Sequence, residues 1–125
     1  MRPELRAAIE SFNRADYFSS QEQFERAWHE SSEEERPFVE ALVQLSVALY
    51  LHFHRGGGRG RNHLLQACLL RLEDYRPSYL EIDVDALYDD VSSYLEELRR
   101  NKVASRRWFE KRRAPKIRLL SKAPR

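Results

Sequence analysis

The chain has 125 residues, 42% apolar and 34% charged, enough for one domain with a core of its own and too short for two. It has no run of about 18 apolar residues, which excludes a spanning helix, and the opening MRPELRAAIE carries acids and lacks the apolar stretch of a secretory signal. The net charge of +2 is unevenly placed: residues 1–98 hold 10 bases and 19 acids, a net of −9, whereas residues 99–125 hold 12 bases and one acid, Glu110, a net of +11. An acidic body with a basic interaction arm is predicted. Cys68, the only cysteine, lies in the apolar run LLQACLL. It rules out a disulfide framework, points to a reducing cytoplasm, and reads as a small buried hydrophobe.

Helix is predicted almost throughout. Pro3 suits a first helical turn, and Leu5, Ile9 and Phe12 share one face of ELRAAIESFNR. A break over residues 13–17 follows. Ser19 and Glu22 are spaced as a capping box for a second helix, whose face is read as Phe18, Gln21, Phe24, Glu25 and Trp28, all within about 120° of one another. SSEEER leads into Pro37 and a third helix, FVEALVQLSVALYLHFH, apolar on nearly every side and therefore the central rod of a bundle. GGGRG at residues 56–60 supplies a tight reversal. It is not a phosphate loop, because no strand precedes it and no Lys-Ser or Lys-Thr follows. A fourth helix, NHLLQACLLRLEDY, stops before Pro77, and Asp83 or Asp85 caps a fifth that ends near Arg100. There is no alternating strand pattern and no internal repeat.

The polar residues of the second and third helices pose the question of a site. Gln21 and Glu25 stand in an apolar face, with Glu22 at its border, and Glu40, Gln44, His52 and Arg55 run as a polar thread along the third helix. A buried polar group without a partner costs about 1–3 kcal/mol. Gln21 and Glu25 are therefore expected to meet Gln44 and His52 across the seam between helices 2 and 3, as a structural hydrogen-bond network. His54 reads as packed or partly exposed, and His29 and His63 have no partner that the sequence names.

The order FNRADYFSSQEQFERAW, VEALVQLSVALYLHF, GGGRGRNHLLQACLLRLEDY and EIDVDAL, over roughly residues 8–98, resembles the domain of unknown function 309 family. The resemblance implies a compact all-α bundle and no established activity. The family's pattern falls here on Phe12, Asn13, Tyr17, Phe18, Glu22, Glu25, Trp28, Gln44, His52 and Gly60. Two positions depart from it: Gln21 stands where the family has a His, and Glu40-Ala41 where it has Gln-Gly. A His-Glu-x-x-Glu helix with a distant His has the makings of a metal site. With Gln21 in place of the His, only Glu22, Glu25 and His52 remain.

The expectation is thus a single all-α bundle of about five helices over residues 1–98, with a basic arm over residues 99–125. Its function is read as a non-enzymatic interaction module without a cofactor. Its partner is a protein, a second copy or a nucleic acid, held by arm residues Arg106, Arg107, Trp108, Lys111, Arg112 and Arg113. In one form of this reading the arm docks on the acidic body at Glu33, Glu34, Glu35, Asp89 and Asp90. In another it contacts phosphates while Trp108 stacks on a base. Ile117, Leu119 and Leu120 leave shallow insertion into an anionic membrane surface as a third. The alternative class is a metal- or small-molecule-binding protein, or a hydrolase-like enzyme, using Glu22, Glu25 and His52.

Overall fold

A computed structural model of the chain describes residues 1–100 and 114–120. Five helices follow one another: α1 (Pro3–Asn13), α2 (Tyr17–His29), α3 (Arg36–Arg55), α4 (Arg59–Glu73) and α5 (Val84–Arg100). Between α4 and α5 two short strands, β1 (Ser78–Tyr79) and β2 (Ile82–Asp83), pair antiparallel with Ser78 opposite Asp83. The fold is all-α. The two strands are an addition that the sequence does not announce, since two residues are too few to show a period.

Helix α1 buries Leu5, Ala8, Ile9 and Phe12, a stripe at i, i+3, i+4 and i+7. It ends where Asp16 donates its backbone N–H to the Ser11 carbonyl at 2.9 Å and Ala15 donates to that of Phe12 at 2.9 Å. Ala15 has φ +66°, so this is a Schellman ending with alanine in the position that favours glycine. Asp16 then caps α2, its side chain accepting from the Ser19 N–H at 3.3 Å. The cap is thus Asp16 and not the Ser19–Glu22 box, because the chain turns into α2 three residues earlier. At α5, Asp83 is the cap and accepts from the Ala86 N–H at 3.0 Å.

Half of α3's 20 residues are buried, including Phe38, Leu42, Leu45 and Leu49. It runs between α2 and α4, antiparallel to both, and α5 packs on α4, burying Leu87, Val91, Leu95 and Leu98 and reaching α3 where Tyr94 meets His52. Phe38, Tyr75 and Tyr79 seal one end, with ring centroids 4.6–5.1 Å apart. Among the described residues no helix is long and apolar enough to cross a membrane.

Residues 114–120 lie against this body as a strap. The Asn13 side chain holds the backbone of Ile117 from both sides, its Nδ2 donating to the Ile117 carbonyl and its Oδ1 accepting from the Ile117 N–H, each at 2.8 Å. Farther along, Asp83 N–H donates to the Arg118 carbonyl and Leu120 N–H to that of Glu81, both at 2.8 Å. Leu119 thereby bridges to Ile82 as a third, antiparallel element beside β2. Ala114 and Ile117 are buried. Asp90 accepts from Arg118 at 2.9 Å and from the Lys116 N–H at 3.4 Å. Ile117 is therefore a core residue, and the acid that pairs with Arg118 of the strap is Asp90, while the Lys116 Nζ donates to the Asn13 carbonyl at 3.3 Å.

Burying one Ile side chain contributes about 1.5–3 kcal/mol, and Asn13 sets where that Ile lands. Asn13→Ala removes both hydrogen bonds and leaves two backbone groups of Ile117 to find other partners. A loss of about 1–3 kcal/mol in unfolding free energy is expected by denaturant titration, with Asp90→Asn, on an exposed pair, costing under about 1 kcal/mol.

Candidate functional site

The buried stripe of α2 is Tyr17, Ser20, Phe24 and Ala27. Its centre lies about one residue's rotation from the face read out of the sequence, and Phe18 is 55% exposed in consequence. The rotation has a packing reason. Ser20 and Ala27 are small enough to let α2 approach α3 closely, and Tyr17 fills the space at the helix start. Ser20 Oγ donates to the Tyr17 carbonyl at 3.0 Å and lies 2.9 Å from Ser46 Oγ of α3, a hydroxyl pair in hydrogen-bond contact. Both serines are fully buried. This pair, and not Gln21 or Glu25, is the buried polar link across the α2–α3 seam.

The expected network is accordingly dispersed. Glu22 and Glu25 are exposed and Gln21 is half-buried. Glu25 lines an open groove of about 400 Å³ with Trp28, His29, Glu40 and Val43. Gln44 turns to the other neighbour, its Oε1 accepting from Arg71 Nε of α4 at 3.3 Å. His52 is buried at the far end of α3 and pairs with Arg61 of α4. Trp28 is covered on one side by the Arg36 guanidinium, 4.4 Å from the ring centroid. That same guanidinium donates to the Trp28 carbonyl at 3.3 Å and to that of His29 at 3.4 Å, closing the C-terminus of α2. Among the described residues no group of three or more His, Cys, Asp or Glu side chains is placed to hold a metal ion. Arg106, Arg107, Trp108, Lys111, Arg112 and Arg113 lie outside the described residues.

A second polar group gathers where α2 and α4 begin and α3 and α5 end. Arg61 Nη1 lies 2.9 Å from His52 Nδ1. A guanidinium can only donate, so Nδ1 is the acceptor. Burial lowers the Arg61 pKa from the ordinary arginine value, and Tyr94 acts in the opposite sense. Tyr94 stands edge-on to His52 with centroids 5.7 Å apart, and Tyr17 stacks on Phe53 at 5.8 Å. Burial pushes both phenols well above their ordinary range. The Tyr17 hydroxyl has no hydrogen-bond partner among the described residues.

The glycine turn makes this arrangement possible. Gly56, Gly57 and Gly58 all have positive φ, and a Cβ on Gly57 would run into the Arg61 guanidinium. Arg61 can fold back beneath the turn to reach His52 because position 57 has no side chain. The GGGRGR run carries this signal, since three glycines before an arginine exceed what a helix reversal needs. Cys68 is fully buried and its thiol is pushed up to about 12 by burial, so it is not a nucleophile at neutral pH.

Beyond this geometry, the model of a domain of unknown function, DUF309, matches residues 5–68, just over half of the chain. No curated protein and no solved structure matches.

Gly57→Ala meets both the αL penalty and the Arg61 contact. It is expected to lower stability by about 1–2 kcal/mol and to shift the His52 ring resonances in NMR spectra as Arg61 is displaced. Glu25→Ala, at an exposed position, is expected to change unfolding free energy by no more than about 0.5 kcal/mol.

Proposed function

The chain belongs to the DUF309 family, and from that premise we propose that it is a non-enzymatic interaction module binding nucleic acid through the phosphates. The functional division falls near residue 98, between an acidic body and a basic arm. The observation that carries the reading is where the arm's basic stretch is attached. Residues 101–113, NKVASRRWFEKRR, hold six bases and one acid. They leave α5 at Arg100 and rejoin the body at Ala114, the start of the strap. A segment fixed at both ends loses less conformational freedom on binding than a free tail does. The body, at −9, repels phosphate elsewhere, which directs a polyanion to this segment.

The chemistry of the body supports binding over catalysis. Glu22 and Glu25 stand on the outer flank of α2 while His52 lies beneath Arg61, so the three groups of the metal or hydrolase alternative do not face a common point. The one thiol is sealed in the core, in keeping with a reducing cytoplasm.

Cutting the chain after Leu98 is a poor test, because it also removes Ile117 from the core. The informative variant replaces Arg106, Arg107, Lys111, Arg112 and Arg113 with Gln and keeps residues 114–120. With five phosphate contacts on a 12-nucleotide single-stranded RNA, log K is expected to fall by about 3.5 per decade of salt. This amounts to roughly a hundredfold between about 50 and 200 mM in fluorescence anisotropy. The five-fold Gln variant is expected to bind weakly with little salt dependence. If it retains the wild-type affinity and slope, the reading is wrong.

A further inference from the structure

We propose that Phe18, Tyr50 and His54 form a base-stacking platform that selects single-stranded over duplex nucleic acid. This inference deepens the reading above and rests on it, since the arm supplies the phosphate contacts. The platform results from the rotation of α2. Tyr17 takes the core position, which leaves the neighbouring Phe18 ring 55% exposed. Its centroid lies 6.1 Å from that of Tyr50 on α3. Tyr50 and His54 are one turn apart on α3, and their rings stack at 4.8 Å and 24°. Three rings from two helices are thus gathered on the outside of the bundle, where the inner face is already filled by Tyr17, Phe12 and Phe53. A single exposed Phe would need no explanation. A stacked Tyr50–His54 pair with the Phe18 ring tilted at 49° beside it, next to several arginines, calls for one.

The charge around the platform favours a polyanion. Arg55 and Arg59 flank the glycine turn in exposed positions immediately beyond His54. Helix α5 ends in Arg99 and Arg100 at this end of the bundle, as the contact of Tyr94 with His52 fixes, and residues 101–113 depart from there. The nearby acids are Asp16, which caps α2, Glu22, one turn along from Phe18, and Glu97, which pairs with Arg100 at 3.3 Å. Aromatic faces flanked by arginines fit unpaired bases joined by phosphates. In a duplex the base faces are covered by their neighbours, so only a single strand can use the rings. An acidic protein could contact the arginines but would have no use for stacked rings.

The test uses the full chain, a 12-nucleotide oligouridylate and a 12-base-pair RNA duplex at matched salt. The wild type is expected to bind the single strand at least about tenfold more tightly than the duplex. The double variant Phe18→Ala, His54→Ala changes two exposed positions, and circular dichroism checks that its fold is kept. It is expected to lose about tenfold on the single strand and little on the duplex, with an unchanged salt slope, whereas Phe18→Trp restores or strengthens binding. An unchanged single-strand affinity in the double variant, or equal affinity of the wild type for the two probes, overturns the platform and leaves the arm reading standing. If the five-fold Gln variant keeps its salt slope while the platform variant loses affinity, the arm reading falls alone. If the wild type binds neither probe at about 50 mM salt, both fall.

Discussion

A helix that is apolar on most of its circumference has to be covered, and α3 sets the placement of the two helices packed directly on it. Its neighbours α2 and α4 lie antiparallel on two sides, and α5, packed on α4, reaches it through Tyr94. The consequences reach the surface. Because α2 approaches α3 through Ser20 and Ala27, its stripe turns so that Tyr17 enters the core and Phe18 leaves it. Because α4 must reverse tightly from α3, the link is glycine, and Arg61 can tuck under it to meet His52. The groups at this end of the bundle are side effects of covering one rod.

The strap changes what the basic arm is. A terminal segment with a net charge of +11 would ordinarily be read as a tail in solvent. Asn13 instead grips the backbone of Ile117 in the manner of a neighbouring strand, and Asp90 neutralises Arg118. Ala114 and Ile117 thus belong to the core with the helices. Removing the arm is then a change in stability as well as in charge.

The helices are legible in the sequence because apolar spacing and punctuation agree: Pro3 and Pro37 at helix starts, glycines after Arg55, Asp83 before α5. The angular centre of α2 is not. Phe18 and Trp28 weigh heavily on a helical wheel, whereas close approach through Ser20 and Ala27 decides which face turns inward. The polar thread on α3 is legible as a set of residues but not as a set of pairs. Gln44 and His52 both turn to α4, through Arg71 and Arg61, and in one dimension these partners are open to several choices. The β1–β2 pair and the strap leave no periodic trace. Asn13 and Ile117 are 104 positions apart, and nothing local to either residue announces the other.

That separation orders events in time. Contacts so far apart in sequence close later than local ones, so the helices pack before the strap docks. During that interval β2 has a partner on one side only, and the backbone groups at Glu81 and Asp83 that later meet the strap face outward as an unfinished sheet edge. Such edges invite pairing with other chains. Here the chain supplies its own cover: Arg118 and Leu120 take up the hydrogen bonds that a stranger would otherwise find. The strap is thus also the cover of a sheet edge, and a chain from which it had come away would present an adhesive seam on an otherwise packed bundle.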